Sequence, residues 1–342
     1  MKNTLKENLE KIQKETPKVR IREIAKQLNV SEAELVASGV GLNNTYLNND
    51  FTGLLKEAGT LGYVMALTRN DFCVHERKGI YKKVTFNGHV GLIVTPDIDL
   101  RLFMNYWAFG FAVNENGRLS FQFFDKSGEA VHKIYLTDKS DENAYHQLIE
   151  KYKAAEQTQE IKTEADLTIP EEKSDTEIDV PAFKKAWTDL KDTHDFYGML
   201  KLYGVSRLQA MRLAPEGLTE RLSAGVLKKI LEAVSEQSLQ IMVFTGSKGC
   251  IQIHTGEIKY LVKTGPWFNV LDPEFNMHLR EDGIASIWLV KKPTKDGVVT
   301  SIEVFDESGN VIVQFFGKRK PGIPESEDWR AIVNNNLEAV EL

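Results

Sequence analysis

The chain reads as an α+β protein with an internal duplication: two similar halves, each with helices followed by a large antiparallel β-sheet. Three features lead to that class. The sequence repeats itself: GYVMALTRNDFCVH (Gly62 to His75) aligns with QIMVFTGSKGCIQIH (Gln240 to His254), placing Met65 on Met242, Thr68 on Thr245 and Cys73 on Cys250. VTPDIDLRL (Val94 to Leu102) aligns with VLDPEFNMHL (Val270 to Leu279) through Pro96 and Pro273, and LSFQFFDKSGEAVHKIYL (Leu119 to Leu136) with TSIEVFDESGNVIVQFFG (Thr300 to Gly317). That last pair reads in both copies as strand, Ser-Gly turn, strand, which is a hairpin. The helical lead-ins repeat too. LNVSEAEL and YGVSRLQA each hold a capping box, Ser31 with Glu34 and Ser206 with Gln209, in which the serine caps the first turn and the third residue on reaches back. Strands joined by short turns pair antiparallel, with helices segregated from them. The period is too long for a solenoid.

Taken in order, the first half predicts helices over Thr4–Glu15, Arg20–Leu28, Glu32–Ala37 and Phe51–Ala58, then short strands. Its boundaries are 1–153. Residues 154–180 are rich in Glu, Thr, Asp and Lys, poor in large apolar groups, and read as a solvated acidic linker. The second half is 181–342, ending in an acidic stretch with a short helical pattern.

At 342 residues, 42% hydrophobic and 27% charged, the chain has ample core for two large halves. No apolar run is long enough to span a bilayer, and the N-terminus lacks the apolar centre of a signal peptide. A net charge of −6 gives no basic footprint for general nucleic-acid binding. The two cysteines, Cys73 and Cys250, fall in no CxxC or zinc pattern and sit at equivalent apolar strand positions, so buried strand residues are expected rather than a disulfide or metal pair. A reduced, cytoplasmic setting follows.

Seven histidines occur, in no HxH or HExxH pattern. His75 and His254 hold nearly equivalent places, which favours a structural role. His89 and His132, beside turns or on strands, are expected exposed or half-buried. His194 differs. On a helix starting near Asp192 or Thr193, Gly198 lies one turn on, on the same face. A glycine inside a helix costs about 1 kcal/mol relative to alanine, tolerated where something approaches the backbone closely. With Phe196, Tyr197 and Leu200 around it, an imidazole over a bare patch of helix suits a haem whose iron takes the ring nitrogen. A capping or hydrogen-bonded core histidine is the competing reading, and spacing alone favours it. Arg101 stands amid Leu100, Leu102, Phe103, Tyr106 and Trp107, either paired with Asp97 or Asp99 or turned to a ligand. Arg207, Lys292 and Arg319 are further cations suited to carboxylates, or else surface charges.

Together LGYVMALTRNDFCVHERKG, DIDLRLF, THDFYGMLKLYGVSRLQAMRLAP, MHLREDGIASIWLVKKPTKDGVVTSIEVFDESG and QFFGKR resemble the hemin-degrading factor family of bacterial cytoplasmic haem-binding proteins, from about residue 15 to residue 325. The resemblance implies two similar halves with haem b in a cleft between them. It implies His194 as the axial ligand to the haem iron and Arg101 as a distal group, protonated and so no ordinary iron ligand, yet able to hydrogen-bond a water, hydroxide or peroxide. It implies Arg207, Lys292, Gln314 and Arg319 as propionate contacts. Phe316 departs from the pattern, which has tyrosine there. The ring wall is kept, but a hydrogen bond worth about 1 kcal/mol is lost. Such a site serves a haem carrier or a haem-degrading enzyme equally. The implied partners are haem, an uptake transporter and a downstream acceptor or reductase, with a dimer open and stable membrane insertion not expected.

One rival class remains at this level. RIREIAKQLNVSEAELV (Arg20 to Val36) has the shape of a helix-turn-helix, which would make the chain a DNA-binding regulator with a ligand domain. Its recognition helix, SEAELVAS, is acidic and ill-suited to phosphates.

Overall fold

Both capping boxes form. The computed structural model describes residues 4–17, 19–165, 172–319 and 322–338. In it Ser31 Oγ accepts from the Glu34 N–H at 3.2 Å while the Glu34 carboxylate accepts from the Ser31 N–H at 2.8 Å. Ser206 and Gln209 repeat the exchange at 3.0 and 3.4 Å. The helix before each box stops at a left-handed residue, Asn29 at φ 53° and Gly204 at φ 65°, so both helix pairs turn by the same backbone device.

The described residues form two compact units. Unit 1 takes the residues up to Arg69, those from Glu76 to 165, and Ser247–Gln252; unit 2 takes Asn70–His75, those from 172 to Gly246, and those from Ile253 on. Each unit thus includes a short strand segment from the other half of the sequence. In unit 1 the Phe103 N–H bonds Gly249 O at 2.9 Å; in unit 2 the Arg280 N–H bonds Phe72 O at 2.7 Å. These are equivalent bonds at equivalent positions of the repeat.

Unit 1 contains α1 (Leu5–Glu15), α2 (Ile21–Leu28), α3 (Glu32–Ala37), β1 (Asn44–Tyr46), α4 (Phe51–Glu57), β2 (Gly62–Arg69), the later part of β3 (Cys73–Gly79), β4 (Thr85–Asn87), β5 (Val90–Val94), β6 (Asp99–Phe103), β7 (Phe109–Glu115), β8 (Arg118–Phe124), β9 (Ala130–Ser140) and α5 (Glu142–Tyr152). Its strands run in the order β1-β7-β8-β9-β2 and, in a second sheet, β6-β5-β4. Unit 2 contains α6 (Val180–Thr188), α7 (Asp195–Tyr203), α8 (Arg207–Leu213), β10 (Thr219–Leu222), α9 (Ala224–Glu236), β11 (Ile241–Gly246), the later part of β12 (Cys250–Gly256), β13 (Leu261–Thr264), β14 (Trp267–Leu271), β15 (Phe275–Arg280), β16 (Ser286–Thr294), β17 (Gly297–Phe305), β18 (Val311–Gly317) and α10 (Glu327–Glu338). Its orders are β10-β16-β17-β18-β11 and β15-β14-β13. These strands pair antiparallel, as expected of two large antiparallel sheets with helices.

Registers show the duplication residue by residue. Ser120 faces Tyr135 and Gln122 faces Lys133 in unit 1; Ser301 faces Phe316 and Glu303 faces Gln314 in unit 2. A register shift falls at Phe123/Phe124 and at the matching Val304/Phe305. The hairpin turns match as well: Gly128 and Gly309 sit at φ 83° and 79°, where a side chain would be strained.

In β17 the alternation of a strand sends Ile302 and Val304 to one face and Ser301, Glu303 and Phe305 to the other. The first face joins Ile241, Val243, Val313 and Phe315 under α9 and α10. Phe305 and Val290, on the second face, pack with Phe183, Trp187, Phe196, Leu200 and Met211 from α6 to α8. Apolar residues therefore cover only part of that second face, and the rest carries the candidate residues.

One expectation needs adjusting. His132 is fully buried rather than exposed or half-buried, because both faces of β9 are covered there. Its ring bonds Tyr81 Oη at 2.6 Å and Thr68 Oγ1 at 2.8 Å, and burial pushes its pKa down to about 3. The described residues of the acidic segment are mostly exposed, and some bond the rest of unit 1. Gln157 exchanges two 2.8 Å bonds with the Tyr46 backbone, and the Glu164 N–H bonds Lys126 O at 2.8 Å. In the would-be helix-turn-helix, Glu32, Ala33, Leu35, Val36 and Ala37 of α3 are buried, so that helix has no face to lay in a groove. The cysteines follow expectation, both buried and unpaired with each other.

Candidate functional site

α7 places His194. Its first turn carries Asp195, its end is the left-handed Gly204, and Phe196, Met199 and Leu200 fill its buried face at helical spacing. The opposite face is open: His194, Tyr197, Gly198, Lys201 and Leu202 are exposed, with Tyr197 at 72% and Leu202 at 79%. His194 is the N-cap rather than a residue within the helix, and its side chain makes no capping bond.

Asp192 fixes the histidine. Its Oδ1 accepts from the His194 backbone N–H at 2.9 Å and lies 2.6 Å from ring Nδ1. The His194 backbone N–H first, then its ring, hold the Asp192 carboxyl below its ordinary range, and the Arg319 charge adds to this. An ionised carboxylate accepts only, so in the neutral imidazole this contact puts the proton on Nδ1 and leaves the lone pair on Nε2. The side chain is 79% exposed, so that lone pair faces outward. One turn on, a Cβ built at Gly198 would meet nothing within 4 Å. The fold itself makes no demand for glycine there.

The cations behave differently from surface charges. Lys292 on β16 is buried, and its Nζ lies 2.6 Å from Glu303 Oε1. Arg207, the first residue of α8, forks onto the same carboxylate, Nε to Oε2 at 2.7 Å and Nη2 to Oε1 at 3.0 Å. Both cations also lie over the Phe196 ring, Lys292 Nζ at 4.7 Å and Arg207 Cζ at 5.4 Å from its centroid. Phe196 is two residues beyond His194, so one aromatic ring ties the histidine helix to the cationic pair. Burial would raise the Glu303 pKa, but Arg207 and then Lys292 pull it well below the carboxylate range. Burial lowers that of Lys292 despite Glu303.

Next to Glu303 on β18, Gln314 has its Nε2 buried with no hydrogen-bond partner among the described residues. Such a donor is costly unless something supplies an acceptor. Phe316, two residues on, sets its ring centroid 4.9 Å from that of Phe244, tilted to it, and 5.8 Å from Lys292 Nζ. Arg319 is half-buried beyond the strand. Unit 2 therefore brings together Arg207, Lys292, Gln314 and Phe316, with His194 joined through Phe196 and Arg319 through Asp192.

Arg101 belongs to unit 1. On β6 opposite Leu92 it is paired with Asp99, while Asp97 is taken by Arg77 at 3.0 Å. Around it Val90, Leu92 and Val94 of β5 are exposed, an apolar strand face beside a half-buried guanidinium. Its counterpart in the repeat is His278, whose Nδ1 bonds Asn269 Oδ1 at 2.7 Å.

Glu303 was not among the residues the sequence singled out. Its signal was present: one carboxylate inside the apolar run VVTSIEVF, which needs a buried partner. The partner's identity was not, since Arg207 lies 96 residues away.

A model of the haemin-degrading HemS/ChuX domain matches residues 29–152 and again 204–336. The chain belongs to this family. The two matches fall on the two copies of the repeat. Among its relatives are the hemin transport protein HemS of Yersinia enterocolitica, 38% identical over 314 residues and 90% of each chain, and the hemin transport protein HmuS of Yersinia pestis, 37% identical over 93% of this chain and 94% of that one. The apo crystal structure of the haem-binding protein PhuS of Pseudomonas aeruginosa has a TM-score of 0.95 to this chain, at 48% identity over 97% of this chain and 98% of that one. The crystal structure of ChuS, an E. coli haem oxygenase, has a TM-score of 0.88 at 33% identity over 97% of this chain and 99% of that one. No helix among the described residues is long and apolar enough to cross a membrane.

Proposed function

We propose that the chain binds haem through His194 and serves haem use by carrying haem, or by breaking it down to release its iron. One observation carries this reading. An imidazole held by a carboxylate at Nδ1 leaves Nε2 to the outside, one turn before a glycine with open space beside it. A carboxylate–histidine pair is the arrangement that orients an imidazole for a metal and raises its basicity. The names of the relatives, two hemin transport proteins, a haem-binding protein and a haem oxygenase, agree with it.

The other residues divide the work. Arg207, Lys292, Gln314 and Arg319 are donors for the ligand's carboxylates. Phe316 supplies wall without a hydroxyl. Arg101 is a fixed hydrogen-bond donor, never an iron ligand, because it stays protonated. Bound haem supplies the iron and with it any redox chemistry; the chain supplies orientation, charge and one axial nitrogen. Haem b, added as hemin, is the form we assign, and handing it on or opening its ring requires an acceptor or a reductant.

The test is direct. Purified protein titrated with hemin is expected to give a saturable Soret band at one equivalent. The loaded protein is then incubated with an electron donor, with and without oxygen, following Soret loss, iron release and tetrapyrrole product. Intact haem that passes to an acceptor selects the carrier; ring opening selects the enzyme; no saturable Soret change sinks both.

Gly198→Ala separates stability from binding. Because a Cβ there meets nothing, the helix gains up to about 1 kcal/mol from alanine's propensity. Thermal melts of the apo-protein are expected to shift up while hemin binding weakens. Binding as tight as in the original chain would remove the argument that Gly198 keeps space for the ligand.

A further inference from the structure

We propose that Glu303 is the positioning residue of this site, holding Arg207 and Lys292 together as one cationic pair with surplus charge for a single carboxylate of the ligand. The inference rests on the haem reading above. Glu303 is fully buried and collects four donors: the Arg207 fork at 2.7 and 3.0 Å, Lys292 Nζ at 2.6 Å and Ser301 Oγ at 3.1 Å. Two cations facing one anion leave one positive charge over. The Arg207 side chain stays 27% exposed, and Gln314 Nε2, a donor in search of an acceptor, is on the neighbouring strand at the same register.

The first half shows what the same frame looks like when sealed. At the place of Arg207 stands Glu32, at that of Gln314 stands Lys133, and at that of Glu303 stands the neutral Gln122. Glu32 pairs with Lys133 at 2.5 Å and with Arg69, and the side chains of Lys133 and Arg69 are only 6% and 11% exposed. The second half has moved the anion from helix to strand and left an arginine at the rim. Its surplus charge can reach a ligand.

Glu303 also keeps Lys292 charged. Facing Lys292 are Glu303 and Ser301 from β17, Arg207 from α8, Phe196 from α7 and Phe316 from β18. Of these only Glu303 carries a negative charge to favour the ammonium against burial and the repulsion of Arg207. Without it, burial and the Arg207 charge would push the Lys292 pKa further down.

The experiment compares hemin with hemin dimethyl ester, which lacks the carboxylates, between about pH 6 and pH 9. The original protein is expected to prefer the free acid by about tenfold or more at every pH, the worth of one charge-assisted hydrogen bond. Glu303→Gln, which releases Arg207 and Lys292 from their shared anchor and lowers the Lys292 pKa, is expected to shrink that preference several-fold, the more so as pH rises, with ester affinity unchanged. A Glu303→Gln preference as large and as pH-independent as the original overturns the proposal, and so does an equal loss for both ligands. Lys292→Met gives a second arm should Glu303→Gln fold poorly. It is expected to lose the preference at all pH values, and keeping it overturns the proposal. If the original protein binds neither ligand, the haem reading itself has failed, a result distinct from these.

Discussion

Replacing His194 by alanine is expected to abolish the axial-histidine Soret signature of the hemin complex and to weaken hemin binding by more than about 100-fold. The scale comes from the groups around metal ligands. Losing a carboxylate that orients a ligating histidine costs about 10–100-fold in affinity, and losing the ligand itself costs more. Asp192→Asn is therefore expected to fall in that smaller range, with the spectrum shifted but not lost. The fold is expected to be untouched, since the His194 ring is 79% exposed and makes no capping bond. Apo-protein melts check this, and added imidazole is expected to restore the band. A His194→Ala complex with the original spectrum would show that another side chain holds the iron.

The features legible in the sequence were those set by neighbours along the chain. The capping boxes at Ser31 and Ser206, the hairpin turns at Gly128 and Gly309, and the His194–Gly198 spacing all depend on residues within a turn of each other. Repetition made them more secure, because a capping serine seen twice in the same frame is backbone chemistry rather than composition. What stayed hidden was set by sheet topology. Nothing local shows that residues 70–75 and 247–252 each join the compact unit of the opposite half. Nothing local shows that the Glu303 carboxylate is shared by a lysine on the preceding strand of its hairpin and an arginine at a helix start. His132 was misjudged for the same reason. Alternation predicts which face a residue takes, but only topology decides whether that face is covered.

The other large effect concerns the first half's charge cluster. Glu32→Ala is expected to cost about 3–5 kcal/mol of stability, the range for removing one partner of a buried ion pair, read from urea unfolding at neutral pH. Burial would raise the Glu32 pKa, yet Arg69 and Lys133 hold it from an ordinary 4.5 down to about 2. The sign follows: the folded pKa is depressed, so the contribution is complete above about pH 4.5 and disappears as pH falls through about 2. Unfolding curves of the original protein between pH 5 and pH 2 should therefore lose stability that Glu32→Ala, lacking the group, does not lose. The triple change Glu32→Leu, Lys133→Met, Arg69→Leu is expected to recover most of the loss, because apolar packing commonly replaces a buried ion cluster at little cost. A cost below about 1 kcal/mol for Glu32→Ala would put the pair among surface salt bridges, against its 2% exposure. The contrast with Glu303 then becomes measurable. Both carboxylates anchor two cations and both are depressed by them, but only Glu303 is expected to couple that charge to ligand affinity, since only its arginine reaches the rim.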